Sequence, residues 1–263
     1  MMNINWHQIK NYIKHFFIAH RKGHGVHSPF AFQLCEEVFY NHHSYYAFEE
    51  LNSLREKLLK DKTKISMQDF GAGSKVFSQQ DRIVKNIVAK GISSQYQSEI
   101  IFKIINFLKL KNCLELGSSI GLNTLYMASV NSSVKVSSID ACEDLIQYAK
   151  HLAKKYQRDN IEFIKSTFDE ALPKLLKSSF DFIYIDGNHT YEASMKYFNW
   201  VLENVTTNTV VVFDDIYWSE GMTKAWNEIK SNKKVKLSID TFHLGFVFFR
   251  DEIKEKIDLR FLI

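Results

Sequence analysis

The sequence is short of the features that mark several protein classes. No apolar run approaches the roughly 20 residues needed to cross a bilayer. The opening residues lack the apolar core and small-residue cleavage site of a secretory leader. There are only three cysteines, Cys35, Cys113 and Cys142, an odd number without metal-type spacing. Cys113 falls in an apolar strand, where a buried, reduced thiol is expected. Charge is nearly balanced, with 34 Lys and Arg against 30 Asp and Glu, and the signs are interspersed along the chain. Such a balance gives no electrostatic footprint of a nucleic-acid binder. Together these absences point to a reducing, cytoplasmic setting.

What is present is ample core-forming material: 263 residues, 45% of them hydrophobic, enough for one full domain with an appended segment. From residue 112 onward short apolar strands alternate with helical stretches. The strands are expected at 113–116, 134–139, 161–165, 180–185 and 208–213. The helices are expected at 121–130, 142–156, 168–177, 190–203 and 221–230. This alternation predicts a parallel sheet with right-handed crossovers. Two further strands, 234–240 and 244–250, follow closely enough to form a hairpin. The fold class expected is therefore α/β, a doubly wound, mostly parallel sheet of seven strands whose last strand is antiparallel. Its domain would span 96–263, with 1–95 as a helical N-terminal extension that selects substrate or contacts a second copy.

In that extension, residues 4–20 place Trp6, Ile9, Ile13, Phe16 and Phe17 at helical spacing, with Lys10 and Lys14 elsewhere on the turn. Such a helix packs on its own domain or on a second subunit of a homodimer, or lies on a membrane surface. The stretch 21–30, Arg-Lys-Gly-His-Gly-Val-His-Ser-Pro-Phe, reads as a loop whose Pro29 starts the next helix, 30–40. Five of the ten histidines lie between His7 and His27, without the spacing of a metal site. Helices are expected at 47–60 and 96–109. A glycine-rich stretch, 69–74, reads either as a loop over the site or as a plain surface turn.

The chain is organised around 112–121, Asn-Cys-Leu-Glu-Leu-Gly-Ser-Ser-Ile-Gly. A buried strand breaks into a glycine turn and enters a helix, the arrangement that brings backbone N–H groups close to a nucleotide-type ligand. Glu115 stands at the strand end, where a carboxylate accepts hydrogen bonds from a cationic ligand. In open α/β sheets, ligands bind at the carboxyl ends of the strands. Asp140 ends the second strand, placed for the two hydroxyls of a ribose. Ser166 and Thr167 follow the third, small polar groups suited to an adenine edge. The fourth runs into Asp186-Gly-Asn-His-Thr-Tyr, and the fifth into Asp214-Asp215-Ile-Tyr-Trp. Adjacent strands lie about 4.8 Å apart, so Asp186, Asp214 and Asp215 can converge. Three such carboxylates repel unless protonated or bridged by a cation; an all-oxygen set favours Mg²⁺ or Ca²⁺. The competing reading is that these acids cap helices.

These motifs resemble the class I S-adenosylmethionine-dependent methyltransferases, and more narrowly the small-molecule O-methyltransferases of catechol, caffeoyl-CoA and macrolide-sugar type. The resemblance covers roughly 96–250. It implies S-adenosylmethionine held by Glu115, Gly117, Ser118 and Gly121 at its methionine portion, by Asp140 at the ribose and by Thr167 near the adenine, with Asp186 bordering the cofactor. It implies Mg²⁺ held by Asp186, Asp214 and Asp215. Catechol-type members have Asp-Asn where this chain has Asp214-Asp215, so the three-aspartate set is closer to the sugar enzymes. The base implied is His189, in a place where catechol-type members have a lysine. The activity implied is methyl transfer to a hydroxyl of a small molecule, with metal assistance. Two other classes stand beside it. One is methyl transfer to nucleic acid or a lipid headgroup through the basic, aromatic N-terminal segment. The other is cofactor binding without turnover. The absence of an Asn-Pro-Pro-Tyr motif after the fourth strand speaks against nucleobase N-methylation.

Overall fold

The structure is a computed structural model that describes residues 5–21, 23–67 and 80–263; the glycine-rich stretch 69–74 lies outside them. The chain divides into two compact units, 1–41 with 176–263, and 42–175. Residues 1–41 fall in the first unit and 42–95 in the second.

The first unit opens with α1 (Trp6–Ile18) and α2 (Pro29–Leu34), the latter continued by a π-helical turn, Cys35–Phe39. Pro29 sits at the first position of α2, where its missing N–H costs nothing, and the Ser28 side chain accepts a hydrogen bond from Ala31 N. The helix start read from the proline is correct to one residue.

The second unit comprises α3 (Tyr46–Leu58), the antiparallel pair β1 (Lys64–Met67) and β2 (Gln80–Ile83), α4 (Val84–Lys90) and α5 (Gln95–Leu108). It continues with β3 (Asn112–Leu116), α6 (Leu122–Ala128), β4 (Lys135–Asp140), α7 (Glu143–Lys155), β5 (Ile161–Lys165) and α8 (Phe168–Leu175). The strands β3, β4 and β5 are parallel and adjacent in that order. A Ser94–Gln97 capping box starts α5. On α7 the 3.6-residue period buries Leu145, Ile146, Ala149, Leu152 and Ala153, and each large apolar side chain so buried contributes about 1.5–3 kcal/mol. Leu145, Leu152 and Ala153 join a core that includes Phe48, Phe102, Leu122 and Tyr126.

The first unit resumes with β6 (Phe182–Ile185), α9 (Tyr191–Leu202), β7 (Val210–Phe213), α10 (Glu220–Ser231), β8 (Leu237–Asp240), β9 (Gly245–Phe248) and β10 (Ile257–Arg260). Its strands lie in the order β10-β8-β9-β7-β6. The expected hairpin is present, and β9 is antiparallel to both β8 and β7. The eighth strand of parallel or mixed pairing, β10, was not expected. It runs parallel to β8 at the edge, and Ile-Asp-Leu-Arg alternates too briefly to stand out among charged neighbours. Gly245 is required by packing, since a Cβ there would lie 2.7 Å from the Trp226 ring. The fold is α/β and Rossmann-like, with a mostly parallel set of strands and helices between them.

Candidate active site

In the second unit the glycine turn is fastened to the end of β4. The N–H groups of Gly117 and Ser118 both donate to the Ile139 carbonyl, at 2.9 and 3.1 Å. Gly117 and Gly121 have φ of 104° and 81°, backbone that L side chains rarely adopt. A Cβ on Gly121 would also lie 2.8 Å from that of Ala149. The turn therefore packs closely against α7.

Glu115 is fully buried, and its register partner across the β3–β4 pair is Ser138. Oε2 accepts hydrogen bonds from Ser138 Oγ and Thr124 Oγ1, each 2.5 Å, while Oε1 has no partner in the protein. Burial pushes the carboxyl up to about 7, against the two hydroxyl donors, which pull it down. Ser118 turns its hydroxyl inward, 2.6 Å from Ser138 Oγ. Asp140 accepts from Ser119 N at Oδ2 and from Cys142 N at Oδ1, both 2.9 Å. Burial raises its pKa and these backbone donors oppose the rise. Each oxygen keeps a further lone pair for a ligand hydroxyl. Thr167 accepts from Glu170 N at 3.3 Å, so its hydroxyl caps the start of α8.

In the first unit, β6 and β7 deliver the acidic ends side by side, with Ile185 in register with Phe213. Asp214 is 6% exposed; its Oδ2 accepts from the Tyr184 hydroxyl at 2.7 Å and its Oδ1 from Asp215 N at 2.9 Å. Asp215 has φ of 53°. Burial and then the Asp214 charge raise its carboxyl to about 7. His189 Nε2 stands 3.6 Å from Asp186 Oδ1. Burial lowers the imidazole pKa, and Asp214 works against that shift. The neighbouring turn is fixed by Asn188, which donates to the Tyr197 hydroxyl at 2.9 Å, and by Thr190, which caps α9. His243 also feels Asp214, and its pKa too is lowered, chiefly by burial.

Residues 114–216 match the family model of a methyltransferase domain. Over that segment the chain is similar to methyltransferase domains. No curated protein sequence matches it at a significant level. Solved methyltransferases share its fold. A Podospora anserina methyltransferase, PaMTH1, bound to S-adenosylhomocysteine, is 13% identical over 95% of this chain and 99% of its own, with a TM-score of 0.59. A Bacillus cereus O-methyltransferase in complex with the same product is 17% identical over 79% and 92%, with a TM-score of 0.54. TomG of Streptomyces achromogenes, an O-methyltransferase of tomaymycin synthesis in complex with S-adenosylmethionine, is 15% identical over 60% and 82%, with a TM-score of 0.53.

The buried, unpartnered Oε1 of Glu115 and the carboxylate of Asp140 fit a ligand that brings a cation and hydroxyls, as the methyltransferase cofactor does. The metal expected on Asp186, Asp214 and Asp215 fits less well. Among the described residues no three His, Cys, Asp or Glu side chains are grouped to hold an ion. Asp214 accepts one hydrogen bond at each oxygen, from Tyr184 and from the backbone of Asp215. As folded, these three side chains are not grouped around a common point.

Of the aromatics Tyr217, Trp218 and Trp226, two lie in the interior. Trp226 packs on Gly245, and Tyr217 donates to buried Asp240 at 2.5 Å. Trp218 differs: it is 52% exposed and its ring lies 6.3 Å from that of His189. Sequence reading missed Ser138, Thr124 and Tyr184, the three hydroxyls that hold the buried acids. The signal was a polar residue inside an apolar strand, as in Val-Ser-Ser-Ile at 136–139.

Proposed function

We propose that the chain transfers the methyl group of S-adenosylmethionine to a hydroxyl of a small molecule in the cytoplasm. The carrying observation is the pair His189–Asp186, a half-buried imidazole beside a carboxylate, lying within the segment that matches the methyltransferase domain. When bound, the cofactor supplies an activated methyl on its sulfonium. The protein's task is then to align the acceptor oxygen and remove its proton.

In this reading Glu115 Oε1 accepts from the ammonium group of the cofactor, and Asp140 accepts from the ribose hydroxyls. Gly117 and Gly121 keep the turn free of side chains, Ser118 steadies Glu115 through Ser138, and Thr167 borders the adenine. On the acceptor side, a neutral His189 with its hydrogen on Nε2, toward Asp186, leaves Nδ1 to take the hydroxyl proton. Asp186 and Asp214 then stabilise the imidazolium that forms. Asp215, raised to about 7, is partly protonated near neutrality and adds less repulsion than a third full charge. Trp218 offers an exposed face to the acceptor. Three free, buried cysteines accord with a reducing compartment.

The test is transfer of labelled methyl from S-adenosylmethionine to a panel of phenols, sugars and other hydroxylated compounds. Transfer by the wild type, and its loss in His189→Ala with S-adenosylhomocysteine binding intact, supports the assignment. A His189→Ala variant as active as the wild type on a hydroxyl acceptor removes His189 as the base.

A further inference from the structure

Helix α1 is mounted with its polar side toward the protein and its apolar side outward. The inward positions are His7, Asn11 and His15, spaced four residues apart. His7 Nε2 lies 2.8 Å from Thr223 Oγ1, and Asn11 donates to the His7 carbonyl at 2.9 Å. His15 is 2% exposed; its Nε2 donates to the Phe261 carbonyl at 3.0 Å, and its Nδ1 faces Asp240 Oδ1 at 3.3 Å. Tyr12 is held edge-on against Phe242, ring centroids 5.0 Å apart. These contacts fix the roll of the helix, because turning the apolar side inward would strand His15 and Asp240 without each other.

The opposite side carries Trp6, Ile9, Ile13, Phe16 and Phe17, all exposed, with Trp6 at 74% and Phe17 at 78%. At about 150–250 Å² per aromatic side chain, this stripe reaches the roughly 300–600 Å² of the largest apolar patch on a typical monomer. Lys10 and Lys14 run along one edge of the stripe, Arg21 lies beyond its end with its guanidinium 4.9 Å from the Phe16 ring centre, and α1 contains no acidic residue.

We infer that this stripe docks on an anionic lipid surface, with α1 lying flat, its apolar side in the headgroup–acyl boundary and its lysines at the phosphates. A helix of 13 residues spans only about 20 Å at 1.5 Å per residue, so it lies on a bilayer and does not cross it. Aromatics projecting from a cationic helix suit a fluid interface, which needs no matching holes. Charge argues against a second copy of the chain as the occupant. In a two-fold antiparallel pair each edge meets its own copy, so Lys10 and Lys14 would face Lys10 and Lys14 of the other protomer. The surface also adjoins the candidate acceptor site, since Asn5, which caps α1, donates from Nδ2 to the Trp218 carbonyl at 3.1 Å.

The test is co-sedimentation of the full chain with vesicles of phosphatidylcholine alone and of phosphatidylcholine with phosphatidylglycerol in equal parts, with and without added salt. The variants are Trp6→Ser, Phe17→Ser and the pair Lys10→Glu with Lys14→Glu; all are exposed side chains, and an unchanged melting temperature checks that each is folded. Expected is binding to the anionic vesicles that falls with salt, with each aromatic substitution weakening it about tenfold and the charge reversal abolishing it. Wild-type protein left in the supernatant with both vesicles overturns the inference. So does concentration-dependent dimerisation, lost in Trp6→Ser and Phe17→Ser, with no vesicle binding; that result assigns the stripe to a second copy. Binding of S-adenosylhomocysteine, measured on the same preparations, reads the cofactor site separately from the docking surface.

Discussion

Glu115 and Ser138 stand opposite each other on β3 and β4, and the serine hydroxyl donates to Glu115 Oε2 at 2.5 Å in a fully buried setting. A carboxylate so placed depends on its few donors, because leaving a buried polar group unsatisfied costs about 1–3 kcal/mol. Ser138→Ala is expected to lower stability by that amount and to raise the Glu115 pKa further. Urea unfolding at neutral pH measures the first effect. An unchanged midpoint would show that the hydroxyl does not support Glu115.

The raised pKa of Glu115, about 7 against 4.5 for the free group, sets a sign for stability against pH. Between those values the folded state binds more protons than the unfolded state, so this group makes stability fall as pH rises from 4.5 toward 7. Glu115→Gln removes that contribution. The same shift makes cofactor binding release a proton: an arriving ammonium restores the charged carboxylate. Titration with S-adenosylhomocysteine at pH 6 in buffers of different ionisation enthalpy is expected to show proton release in the wild type and a smaller release in Glu115→Gln.

His189 must be neutral to act as a base, and burial lowers its pKa below the ordinary 6.5. The acid limb of kcat/KM is therefore expected below pH 6.5. Removing the Asp214 charge by Asp214→Asn takes away an influence that raises the His189 pKa, so the limb moves further toward acid. A limb that stays in place, or moves upward, would disconnect the imidazole from this acid.

Gly121 combines a φ of 81° with a Cβ clash of 2.8 Å against Ala149. Gly121→Ala is expected to cost about 1–3 kcal/mol through strain and overpacking. It is also expected to weaken S-adenosylhomocysteine binding, because the turn must shift away from α7. Thermal unfolding and calorimetry read the two effects.

Much of the fold was legible because period and punctuation agree. The α7 face at Leu145, Ile146, Ala149, Leu152 and Ala153 follows the helical repeat, and the strands from 113 to 213 are short apolar runs between helices. The candidate acids were legible because they end those strands. The partners that hold the acids were not. Thr124 and Tyr184 reach Glu115 and Asp214 only through the folded chain, and nothing local to Thr124 or Tyr184 announces it. The N-terminal helix shows the same limit. Its amphipathic pattern was plain, but which side faces the protein is decided by Asp240, 225 residues from His15 in the chain and buried beside it. Sequence spacing likewise does not reveal that Asp214 accepts a hydrogen bond from Tyr184.

The central claim is that Glu115 and Asp140, the acids of β3 and β4, form a site for S-adenosylmethionine. Calorimetric titration with S-adenosylhomocysteine, wild type against Asp140→Ala, each with EDTA and with added Mg²⁺, tests it most directly. The account predicts micromolar binding by the wild type, on the order of −8 kcal/mol, indifferent to EDTA and lost or strongly weakened in Asp140→Ala. No binding by the folded wild type, or equal binding by both proteins, would contradict it.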